Sequence, residues 1–137
     1  MATFQKFNSF VEAMAEKKHN LGSDTLKVML TNSAPSASNT VKADITEISA
    51  GNGYTAGGTA VTITASSQTS GTYSLVGDSV TFTASGGSIG PFRYAVLYND
   101  TASNDELIGF YDYGSSVTLA STEYFPVTFG ASILTLA

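Results

Sequence analysis

The stretch FRYAVLYNDTASNDELIGFYDY, Phe92–Tyr113, reads as an antiparallel ribbon closed by a polar loop. In its first half Phe92, Tyr94, Val96 and Tyr98 alternate with Arg93, Ala95, Leu97 and Asn99. A period of two sends alternate side chains to opposite faces of a strand. Both faces carry apolar residues, so the strand is expected to be central or covered on both sides. DTASND forms the loop and ELIGFYDY the returning strand. Setting Tyr98 opposite Leu107 places Arg93 opposite Asp112, a cross-strand ion pair that would fix the register. Arg93 is the only Lys or Arg after Lys42. A structural ion pair is its expected role, ahead of contact with a partner subunit and far ahead of catalysis.

The same rhythm runs through the second half of the chain. TAVTITA, GTYSLV, SVTFTA, SVTLA, YFPVTFG and SILTLA are short strand patterns separated by Gly, Ser, Asn or Asp. With the ribbon and an earlier strand in DTLKVMLTN, they predict a mainly β fold, an antiparallel β-sandwich of Ig-like or jelly-roll-like kind. Gly77-Asp78 is a candidate tight turn. Pro126 demotes YFPVTF to an edge strand or a bulge. The expected organisation is one domain over 1–137, with an N-terminal helix at 3–21 and the sandwich at 24–137.

The helix rests on an apolar stripe of Phe4, Phe7, Val11 and Met14 with Phe10 beside it. Thr3 is the expected N-cap, and Gly22 the stop. TVKADITEIS suggests a second short helix, because Val41, Ile45 and Ile48 share a face.

Charged residues make up 12% of the chain and hydrophobic residues 42%. So few charges beside so many strand formers argue for a packed domain rather than disorder. The net charge is −5. Residues 1–48 balance five Lys against five acids, and residues 49–137 set Arg93 against six acids. No basic patch answers a phosphate backbone, so direct nucleic-acid binding is not expected. No apolar run approaches the roughly 20 residues that span a bilayer, and the N-terminus lacks a signal-peptide pattern. Cytoplasmic synthesis and no membrane partner are expected.

Chemistry finds few footholds. There is no cysteine and a single histidine, His19. A zinc site of His and Cys ligands is therefore ruled out. His19 follows Lys17 and Lys18 and reads as a solvated helix end. GNGYTAGG, Gly51–Gly58, lacks the Gly-Lys-Ser/Thr ending of a phosphate loop and reads as a turn packed by Tyr54. Asn99, Asp100, Asn104, Asp105 and Glu106 offer oxygen ligands without EF-hand spacing, so a solvated hairpin tip is expected over a weak cation site. No cofactor, metal or catalytic residue is expected.

FQKFNSFVEAMAEKKHNLGSDTLKVMLTNSAP, ITEISAGNGYTAGGT, GPFRYAVLYNDTASNDELIGFYDYGSSVTLA and the closing ILTLA resemble segments of small virion structural proteins of tailed bacteriophages. The resemblance runs from Phe4 to Ala137, and GNGYTAGG and GPFRYAVLYND are its most specific pieces. It implies a structural protein and not an enzyme. Its leading implication is a capsid decoration (cement) protein on the outer face of the head, homo-oligomeric and bound to the major capsid protein. A tail, neck or fibre component is the nearest alternative. A host-surface glycan-binding module is the other, with Tyr73, Tyr94, Tyr98, Tyr111, Tyr113 and Tyr124 as stacking candidates. The stripe Phe4, Phe7, Phe10, Val11 and Met14 then attaches a partner, covers an open end of the sandwich, or packs against copies of itself around a symmetry axis.

Overall fold

The computed structural model describes residues 2–137. Along it run β1 (Gln5–Lys6), α1 (Ser9–Ala15), β2 (Leu26–Thr31), a 3-10 turn at Lys42–Asp44, β3 (Thr59–Ala60) and β4 (Ile63–Thr69). There follow β5 (Thr72–Gly77), β6 (Val80–Thr83), β7 (Ile89–Asn99), β8 (Leu107–Leu119), β9 (Tyr124–Val127) and β10 (Leu134–Leu136). The chain is mainly β, 46% strand and 7% helical, and its strand pairs are antiparallel.

A five-stranded sheet in the order β1-β8-β7-β2-β3 forms one layer, and β10-β5-β4 and β6-β9 form smaller sheets. The main core gathers Leu26, Val28 and Leu30 of β2, Ala95 and Leu97 of β7, and Ile108 and Tyr111 of β8 from the large sheet. Leu75, Val80, Phe82, Val127 and Leu134 of the smaller sheets join the same cluster. This is a sandwich-like arrangement, in which each sheet hides its apolar face against the other.

The large sheet is apolar on its second face as well. Met29, Tyr94, Val96, Tyr98, Leu107 and Phe110 form a separate buried cluster there with Phe7 and Ile45. The N-terminal segment and the long β2–β3 connection thus contribute to a second core. The double-faced reading of the Phe92–Tyr113 ribbon matches this burial.

Its strict alternation does not. The β7–β8 ladder shifts register at three places. The shift between Phe92 and Tyr94 moves Phe92 into the main core with Ala95 and Leu97, while Tyr94, Val96 and Tyr98 face the second. A bulge inserts a residue and so reverses the alternation beyond it. Tyr98 does pair with Leu107, but Asp112 lies opposite Tyr94 and not Arg93. SVTLA, read as a strand of its own, is the end of the unbroken β8. Pro126 sits in β9, whose one partner strand among the described residues is β6, in keeping with an edge position.

The N-terminal helix is shorter than the 3–21 expected. It spans Ser9–Ala15, with Asn8 and not Thr3 at its N-cap. Gln5 and Lys6 pair with Phe110 and Gly109 of β8, and the Phe7 N–H donates to the Ile108 carbonyl at 3.1 Å. A helix of this length has little stability of its own, so the open edge of β8 wins the residues before it. TVKADITEIS yields only the 3-10 turn. Gly77-Asp78 joins β5 to β6, which lie in different sheets, so it turns a corner rather than closing a hairpin.

Candidate functional site

Three constellations singled out by the sequence carry the polar chemistry of the fold: the GNGYTAGG loop, His19 with the 99–106 hairpin tip, and Arg93 with Asp112.

GNGYTAGG is seated on the large sheet by hydrogen bonds and close backbone approach. The Tyr54 hydroxyl donates to Glu47 Oε2 at 2.5 Å and accepts from the Leu30 N–H at 3.0 Å. The same Glu47 oxygen accepts the Gly57 N–H at 2.6 Å, and Glu47 Oε1 lies 3.5 Å from Lys42 Nζ. The Tyr98 hydroxyl closes the network by donating to the Gly57 carbonyl at 2.5 Å. Burial, then the bond to Glu47, raises the Tyr54 phenol well above its ordinary range. Burial likewise raises Tyr98, with Asp100, Glu47 and Asp105 adding to it.

Gly58 explains the motif's composition. Its φ is +83°, and a Cβ there would lie 1.8 Å from the Val28 carbonyl oxygen. Only glycine lets the loop touch β2 this closely. The loop is a structural clasp, as the turn packed by Tyr54 anticipated. Glu47, its hub, was not singled out, since nothing in the sequence joins it to Tyr54 or Gly57.

His19 departs from the sequence reading. The helix ends at Ala15, and His19 turns inward to 5% exposure beside Phe10, with ring centroids 5.4 Å apart. Asn99, fully buried at the end of β7, places its Nδ2 2.9 Å from His19 Nδ1 and donates to Asp24 Oδ2 at 2.7 Å. Asn99 Oδ1 accepts the N–H groups of Thr101 and Ala102. Those two bonds fix the amide orientation, so Nδ1 of His19 is the acceptor and the proton sits on Nε2. His19 Nε2 and Glu106 Oε2 are both buried and meet no protein hydrogen-bond partner. Burial holds the His19 pKa below its ordinary value, with Glu106 and Asp24 pulling the other way. Protonation at Nδ1 would also set a donor against the Asn99 amide.

The hairpin tip is therefore partly an interior feature. Asn99 joins the N-terminal segment to the hairpin tip, and Asp100 pairs with Lys27 at 3.2 Å. Among the described residues no group of three or more His, Cys, Asp or Glu is gathered to hold a metal ion. Asn99 stands between His19 and Asp24, so these two do not form the His–carboxylate couple that a general base requires.

Arg93 meets Asp112 as expected, although they are not directly opposed. Nε donates to Oδ1 at 2.8 Å and Nη2 to Oδ2 at 3.1 Å, a bidentate pair. Both side chains are about one-third exposed, at 38% and 30%. Asp112 also accepts the Gly114 N–H at 2.8 Å. The hydrogen bond from Arg93, then that from Gly114, holds the Asp112 carboxyl below its usual range. The guanidinium packs 5.3 Å from the Tyr94 ring centroid.

The candidate partner-contact stripe is largely internal. Phe7 is wholly buried and Phe10 nearly so, while Phe4 and Met14 pack partly buried against the main core. Only Val11, at 53% exposure, faces outward. Only Phe10, Val11 and Met14 of the stripe lie on the helix, and the two cores between them take up Phe4, Phe7, Phe10 and Met14. Of the proposed stacking tyrosines, Tyr94, Tyr98 and Tyr111 are buried, Tyr73 and Tyr113 are half-buried, and Tyr124 is exposed. Burial pushes the Tyr111 phenol up to about 12.

No protein-family model, no curated protein and no solved structure matches the chain.

Proposed function

We propose that this chain is a structural protein of a tailed-bacteriophage virion, with capsid decoration as its leading role. The observation that carries the reading is the use the fold makes of its most distinctive segments. GNGYTAGG clasps the β2–β3 connection to β2, and the strand in GPFRYAVLYND runs through the middle of the large sheet. The residues that carry the resemblance thus maintain a scaffold. Outside it lies a surface rich in Ser and Thr, including the exposed hairpin residues 64–72. Such a surface forms hydrogen-bonded, water-bridged contacts with little charge to desolvate.

A protein that binds only the assembled shell stabilises that shell by mass action, and repetition on a lattice multiplies weak contacts. The net charge of −5 favours a place away from packaged DNA. The major capsid protein is the proposed partner. The test is to add purified chain to heads that lack it. The expected result is saturable binding in proportion to the head lattice and a higher melting temperature of the shell. Binding to purified tails and not to heads would transfer the role to the tail, neck or fibre. Binding to neither would overturn the virion reading. The glycan reading now rests chiefly on Tyr124, the one strongly exposed tyrosine of the six considered.

A further inference from the structure

The β4–β5 hairpin has an edge with which no strand pairs among the described residues. β4 ends the order β10-β5-β4 and, among the described residues, has β5 as its only partner strand. Its residues Thr64–Thr69 are exposed on both faces, as are the turn residues Ser70 and Gly71. Sheet edges are normally protected by charge, proline, a bulge or shortness, because an open ladder recruits another strand. Beyond a register shift at its start, between Ile63 and Ala65, β4 has none of these. It holds no Lys, Arg, Asp, Glu or Pro, and no charged residue occurs anywhere from Ile48 to Gly77. The other edge strands are shorter: two residues in β1 and β3, three in β10, four in β6 and β9. Among the described residues, β4, with seven, is the longest strand to stand whole at the end of a sheet; the outer side of β8 beyond β1 is also unpaired but carries Asp112 and two register shifts.

We propose that β4 is a homodimer interface, pairing antiparallel with β4 of a second copy about a two-fold axis. Three strands from each copy would then make one continuous six-stranded sheet. The occupant follows from charge and symmetry. An antiparallel strand is its own complement about a two-fold axis, so one surface serves both copies. Each copy carries a net charge of −5, which opposes self-association over most of the surface; at this edge no like charges meet. A charged partner segment would find no counter-charge here. Ser, Thr and Gln side chains suit cross-strand hydrogen bonding between identical strands. The pairing also closes, because each copy has one such edge and the dimer consumes both. A two-stranded ribbon exposed on both faces is marginal in water, and an added strand supports it. This interface is independent of any position in a particle.

The experiment is sedimentation equilibrium on the full chain over a concentration series, with hydrogen exchange on the same samples. The expected result is a shift from 14.2 kDa towards twice that mass, with the β4 amides exchanging more slowly as concentration rises. The double variant Ser67→Lys/Thr69→Lys places positive charges from both copies along the shared edge. It should keep its circular dichroism spectrum, since both positions are exposed, and weaken the dimer by about tenfold or more. A monomer at every concentration overturns the proposal. So does open-ended association, or a dimer unaffected by the substitutions whose β4 amides exchange at a rate independent of concentration. The exchange measurement on the unaltered chain decides the question even if the variant misfolds.

Discussion

Replacing Gly58 with alanine should be one of the most damaging single substitutions in the loop region. Gly86 provides the control. The two glycines have similar backbone conformations, φ +83° and +77°, but Gly86 has nothing within 4 Å of an added Cβ. Placing Ala in that left-handed region costs about 1–2 kcal/mol at either site. At Gly58 the new carbon would also lie 1.8 Å from the Val28 carbonyl oxygen and 2.8 Å from the Met29 Cα. These are backbone atoms of β2, which is held by six registered pairs to β7 and cannot easily recede. Relief must come from lifting β3 away, which sacrifices the pairing of Thr59 and Ala60 with Val28 and Lys27. Two or three backbone hydrogen bonds at about 0.5–1.5 kcal/mol each give a further loss of roughly 1–4.5 kcal/mol. Urea unfolding of both variants measures the difference directly. A Gly58→Ala variant that fails to fold while Gly86→Ala folds gives the same answer. Equal losses at the two sites would refute the close approach of loop and strand.

Tyr54→Phe should lower stability by about 1–3 kcal/mol, because it removes a donor from Glu47 and an acceptor from the buried Leu30 N–H; denaturant titration checks it. His19 has a depressed pKa in the fold, so its stabilising contribution is complete above about pH 6.5 and is lost as pH falls through the folded value. Stability against pH should therefore fall on the acid side of 6.5 by at most about 1.4 kcal/mol per pH unit from this group, and His19→Gln should flatten that limb. Arg93→Met should lower stability at low salt, and added salt should narrow the gap to the parent, since the pair is part-exposed; melting temperatures at two ionic strengths test this.

The strands were legible because their signal is local. Leu26, Val28 and Leu30 do enter the main core together, and Met29 does face the other way. The bulges were not legible, since alternation alone carries no mark of an inserted residue. That is why Phe92 was grouped with Tyr94, although they belong to different cores. The stripe from Phe4 to Met14 has helical spacing throughout, and only the presence of β8 beside it decides that Gln5 and Lys6 are strand. His19 and Asn99 lie 80 positions apart. No spacing rule connects them, so the buried polar cluster could be found only in three dimensions. Arg93 and Asp112 were found because hairpin partners are close in sequence as well as in space.

The long reach of β2 sets the order of events during synthesis. Met29 pairs with Val96, which leaves the ribosome about 67 residues later. At about 5–20 residues per second that interval is roughly 3–13 s. Until then Leu26, Val28 and Leu30 have no partner strand from β7, although they belong to the most deeply buried positions of the finished molecule. The nascent chain must shield this apolar segment, by transient collapse or by a bound chaperone, until the ribbon that captures it has emerged.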